Sequence, residues 1–92
     1  KCSEACMFWM AKVYMATKAM IQNTGLQALA AECYPNYGGL MNQTASWLAD
    51  EGLIVDTEGD IAHAVVQYIL NLASDGGACA LGEIGGLYDD LP

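Results

Sequence analysis

No part of the chain narrows its options more than Ala5–Ile21, ACMFWMAKVYMATKAMI. It holds four of the five methionines, the only phenylalanine, one of two tryptophans and one of four cysteines, and its only charges are Lys12 and Lys18. At helical pitch Cys6, Met10, Val13, Thr17 and Met20 share one side. Met7, Tyr14 and Ile21 flank them, and Phe8, Met15 and Ala19 carry apolar surface most of the way round. Two internal lysines and a length of 17 residues make the stretch shorter and more charged than a membrane span, which takes about 20 mostly apolar residues. The expectation is a helix at the centre of a protein core, covered on several sides.

The covering material is limited. A chain of 92 residues, read as one domain over 1–92, buries only about 60–65% of the surface its unfolded form exposes. Yet 54% of it is hydrophobic and only 15% charged, which excludes intrinsic disorder and implies a dense core or an apolar patch kept for a partner. Eleven acids stand against three lysines, for a net charge of −8. Phosphate neutralisation by Lys and Arg is therefore out of reach, which excludes nucleic acid as a partner and any electrostatic attraction to anionic lipid.

Cysteine usage sets the expected compartment. Cys2, Cys6, Cys33 and Cys79 lack the paired C-x2-C knuckles of structural zinc, so no metal is expected. Four thiols in a small chain read as two disulfides and a secreted, extracellular protein. Lys1 before Cys2, without an initiator Met, reads as the start of a mature product. A Cys2–Cys6 bond would staple nothing distant, so bonds from this end to Cys33 and Cys79 are favoured. Helix geometry adds a condition: a straight antiparallel hairpin leaves Cys33 far short of Cys6, so either the second helix crosses steeply and the first is interrupted, or some bonds run between chains. Asn42-Gln43-Thr44 is a glycosylation sequon inside a helical segment.

Along the chain, the first helix starts near Ser3 or Glu4 and stops at Asn23-Thr24-Gly25. Leu26–Cys33, rich in Ala and Leu, predicts a short second helix broken by Tyr34-Pro35. A third covers Leu40–Glu51, with Leu40, Met41, Thr44, Ala45 and Leu48 inward and Gly52 as its stop. Leu53-Ile54-Val55 is read as a buried connection, since no second strand candidate offers itself. Asp56 to Asp60 opens the last long helix, with Thr57 and Asp60 approximating a capping box. Its apolar repeat, Ile61, Ala64, Val65, Tyr68, Ile69 and Leu72, predicts the buried face, and His63, Gln67, Asn71 and Ser74 form the polar stripe. The tail from Ala78 to Pro92 is expected to fold back on the helices.

These readings give an all-α fold, a small disulfide-stapled bundle of four to five helices, two of them long. No cofactor is implied and no catalytic motif is present. His63, the only histidine, lies on the polar stripe without a nucleophile in reach and reads as a surface residue. Asp56, Glu58 and Asp60 alternate as at the start of a calcium loop, but the sixth position is not Gly and the twelfth, Gln67, is uncharged, so they read as capping groups. Met7, Met10, Tyr14, Met15 and Met20 are the candidate ligand-binding set, because flexible thioethers beside an aromatic ring can line an adaptable apolar site. The expected function is a secreted, non-enzymatic binding protein or subunit. Its apolar pocket or patch would take a hydrophobic small molecule, a lipid or a protein partner, and a second copy of the chain is one such partner. The alternative is a secreted toxin or effector acting on a membrane or a cell-surface receptor.

Overall fold

The computed structural model describes residues 2–79. They form three helices and two short strands in the order α1 (Glu4–Thr24), β1 (Ala28–Ala30), α2 (Gly38–Asp50), β2 (Ile54–Asp56) and α3 (Ile61–Ala73). The strands pair in parallel, with Ala28 opposite Ile54, Leu29 opposite Val55 and Ala30 opposite Asp56. The middle of the chain is thus a β-α-β unit with α2 as the crossover, and the expected four-to-five-helix, all-α bundle is not what forms. The tail expectation concerns residues that lie, beyond Cys79, outside those described.

Both departures occur where the sequence signal was short. The segment predicted as a second helix contains β1 instead. Ala and Leu favour a helix, but a few residues of helix propensity are outweighed by pairing with a strand already buried. That strand is Leu53-Ile54-Val55 shifted by one residue, so the triplet read as a connection does have a partner. Ala31 N–H donates to the Asp56 carbonyl at 2.8 Å, continuing the pairing past the last strand residue.

Alternation along the strands divides the molecule. Leu29 and Val55 face α2, where Val55 joins Ile21, Met41 and Leu48 in the core cluster, with Val13, Tyr14, Ala45 and Leu53 packed around it. Ala28, Ala30, Ile54 and Asp56 occupy the opposite face, toward α3. α1 packs on α2, α2 on β2, and α3 on both strands. The helix expected at the centre is therefore an outer layer. Only Thr17 and Ile21 of α1 are buried, and its first turns project from the body. The radius of gyration of 14.5 Å exceeds the roughly 12 Å of a compact domain this long.

The helix ends follow the sequence closely. Ser3 caps α1, its hydroxyl accepting from Cys6 N–H at 3.2 Å. Gly52, at φ 77°, closes α2: its N–H reaches the Ala49 carbonyl at 3.0 Å and Leu53 N–H the Leu48 carbonyl at 2.9 Å, both bonds of a Schellman motif. α3 is capped by Asp60 rather than Thr57, the carboxylate accepting from His63 N–H at 3.1 Å.

All four cysteines are free, and none stands at disulfide distance from another. Cys33 Sγ donates instead to the Gly38 carbonyl and to Asn42 Oδ1, each at 3.4 Å. The expected stapling fails for the reason the length argument anticipated: α1 runs uninterrupted from Glu4 to Thr24, which sets Cys6 about 27 Å along the helix from the end that leads into β1. Four free thiols remove the disulfide basis for a secreted protein.

Candidate functional site

α3 is the element whose sequence and surroundings disagree most. Its buried residues are Ala64, Gln67 and Asn71, whereas Ile61, Val65, Val66, Ile69, Leu70 and Leu72 are all exposed, from 51% to 74%. Gln67 and Asn71 retain only 6% and 7% exposure. The apolar stripe expected to face the core has been rotated outward by roughly a quarter turn, and half of the polar stripe has gone in.

The sheet explains the rotation. Of the four residues it offers to α3, two are alanines and one is an aspartate, so the helix settles close to the sheet on the small side chain of Ala64. A row of large aliphatic groups would hold it off and would meet a carboxylate. Polar anchors at each end fix the orientation. Asp56, fully buried, accepts from Glu58 N–H at 3.1 Å and Asp60 N–H at 2.8 Å through Oδ2, which shapes the turn into α3. At the other end the Asn71 side-chain amide donates to the Gly77 carbonyl at 2.9 Å, and its own carbonyl accepts from Gly76 N–H at 2.8 Å. Buried polar groups take such partners because leaving them unpaired is costly.

The outer face of α3 has a second property: no Asp, Glu, Lys or Arg occurs between Ile61 and Ala73. His63 is exposed, with Nδ1 3.4 Å from the Asp60 carboxylate, and lies on the side of the helix away from the Ile61-Val65-Ile69-Leu72 stripe. Among the described residues the acids next to it in sequence, Glu58, Asp60 and Asp75, stand beyond its ends.

The candidate ligand-binding residues do not converge. Met7, Met15 and Met20 are exposed at different points round α1, and Met10 and Tyr14 are half-buried. Tyr14 serves packing, its ring edge-on to Trp47 with centroids 5.7 Å apart. Its hydroxyl donates to Glu51, which also pairs with Lys18, while Lys18 Nζ donates to the Tyr14 hydroxyl at 3.3 Å. Lys18 holds the Glu51 carboxyl below its ordinary range, with Tyr14 adding to the effect, and Glu51 in turn raises Lys18. This cluster braces α1 against the end of α2. The exposed aromatic end of α1 differs from α3 in carrying a charge, since Lys12 Nζ lies 5.3 Å from the Phe8 ring centre and 4.8 Å from that of Trp9, within cation–π range.

Sequence reasoning named Ile61, Val65, Ile69 and Leu72 but placed them inside, and it passed over Val66 and Leu70. A usable signal did exist: Gln67 and Asn71, four apart, follow one another on the side that the small sheet can accept. Comparison with family models, curated proteins and solved structures finds no match to this chain. Among the described residues no helix is long and apolar enough to cross a membrane.

Proposed function

We propose that this chain is a non-enzymatic binding subunit that docks through the outer face of α3, and that the occupant of that face is a second copy of the chain. The carrying observation is the outward-turned stripe of Ile61, Val65, Ile69 and Leu72. Contiguous apolar patches of this kind mark interaction sites, and homodimer interfaces are the more apolar class. What supports a second copy over a basic partner is the placement of charge. No charged residue lies within α3, and the described acids beside it in sequence, Glu58, Asp60 and Asp75, stand beyond its ends, so two α3 faces can meet with no carboxylate in the middle of the contact, and a cationic surface would find nothing there to pair with.

The residual repulsion between acidic bodies is screened within about 8 Å at physiological salt. Association should therefore strengthen as salt rises, and again as acid neutralises the carboxylates, because both weaken the repulsion and leave the apolar contact in place. Sedimentation equilibrium at several salt concentrations and pH values tests this. A species above 9.8 kDa that follows both trends is expected, together with its loss in Ile69→Asp. A 9.8 kDa monomer under every condition ends the second-copy reading and leaves the face to a different polypeptide.

A further inference from the structure

We propose that the open edge of β1 is a strand-addition site, and that a second copy of the chain fills it with its own β1, the two strands pairing antiparallel about a two-fold axis perpendicular to the sheet. The inference rests on the second-copy reading of α3 and fixes how the two copies are set together.

The sheet has two strands, and they differ in cover. β2 is buried along its whole length, whereas all three residues of β1 stay half-buried. Hydrogen bonding shows which groups β1 turns outward. Ala31 N–H donates to the Asp56 carbonyl, so in this parallel ladder the N–H and C=O of Leu29, two residues back, also turn toward β2, and those of Ala28 and Ala30 turn to the open side. Among the described residues they meet no backbone partner there. Native edges are commonly blunted by charge, proline or a bulge, yet Leu26 to Ala31 contains neither a charged residue nor a proline.

The placement of α3 selects the occupant. It follows β2 after a short turn and packs back over both strands. A two-fold axis through a β1–β1 pair keeps both α3 helices on the same face of one four-stranded sheet, their axes two strand spacings apart, about 9–10 Å. Packed helices stand about 8–10 Å apart. Crossovers of parallel β-α-β units are right-handed with few exceptions, and with that hand the Ile61-Val65-Ile69-Leu72 flank of α3 overhangs the β1 edge rather than the β2 edge. The two stripes then meet antiparallel over the new strand pair. With Leu29 of each copy on the axis, Glu32 stands opposite Leu26, so no like charges face each other along the strands. A foreign strand would satisfy the same backbone groups but bring no second stripe to cover α3.

The test is amide hydrogen exchange, read residue by residue by NMR at concentrations above and below the association seen in sedimentation. Ala28 and Ala30 amides should exchange almost freely in the monomer and at least about tenfold more slowly in the associated chain. Ala30→Pro removes one outward N–H per copy and none from the β1–β2 ladder, so it should weaken association at least about tenfold with the urea midpoint kept. Should proline disturb the fold, N-methylation of the Ala30 amide, in a chain ligated at Cys33, makes the same deletion with the side chain unchanged. Association that leaves Ala28 and Ala30 unprotected, or that is undiminished in the Ala30 variants, would overturn strand addition and leave α3 docking standing. A monomer under every salt and pH condition would overturn both.

Discussion

Asp56 is where a single side chain decides most. It is the last residue of β2, fully buried, and one carboxylate oxygen takes two backbone N–H groups of the turn into α3 while the other, Oδ1, has no partner among the described residues. Asp56→Ala removes the acceptor and strands both donors, so it should cost about 2–3 kcal/mol, in line with hydrogen bonds to charged groups. Asp56→Asn keeps one acceptor oxygen and should cost less. Urea unfolding measures both, and an alanine variant as stable as the parent would show that the turn does not depend on this residue. Asp75 offers the opposite case. It is the one described non-glycine residue at positive φ, 57°, at the position where a Schellman ending favours Gly. Asp75→Gly should raise stability by about 0.5–1 kcal/mol through relief of that strain, and a loss of stability would contradict this.

At the scale of elements, the α1–α2 brace gives a pH signature. Glu51 is depressed when folded, so its contribution is present above the ordinary carboxyl value of 4.5 and is lost as pH falls through the lower folded value. Lys18 is raised, so its contribution holds below its ordinary 10.5 and is lost as pH climbs through the higher folded value. The two define one window, between the acid and alkaline limits, in which the brace is complete. Both side chains keep about a third of their exposure, 31% and 35%, so water screens the pair and the effect is modest. Comparing urea midpoints of the parent and Glu51→Gln across pH should show a difference inside the window that vanishes at both ends, and a constant difference would rule the brace out as its source.

Elements also differ in how far they could be read. The three helices were legible from Ser3, Gly25, Gly52 and the apolar periods, because caps and periodicity are local. β1 and β2 were not, since each has three residues and exists only through the other. Once the sheet is missed, the orientation of α3 is lost as well. The rule that an apolar stripe faces inward assumes an apolar surface to receive it, and Ala28, Ala30 and Asp56 do not provide one. The nominated Met residues of α1 stay spread round the helix for a related reason: among the described residues α1 packs mainly on α2.

For the whole molecule, the consequence is a small core and a large apolar exterior. Six hydrophobic residues are buried among those described, while fifteen large ones are exposed, an imbalance that a partner surface would correct. The proposed docking requires α3 to present its apolar stripe to the outside, and one measurement reaches that directly: the unfolding free energy of Ile69→Asp at concentrations low enough to keep parent and variant monomeric. With Ile69 at 56% exposure, stability should stay within about 0.5 kcal/mol of the parent, as for other surface substitutions. A loss of about 3 kcal/mol or more, the scale of a charge forced into a core, would place the stripe inside and contradict it.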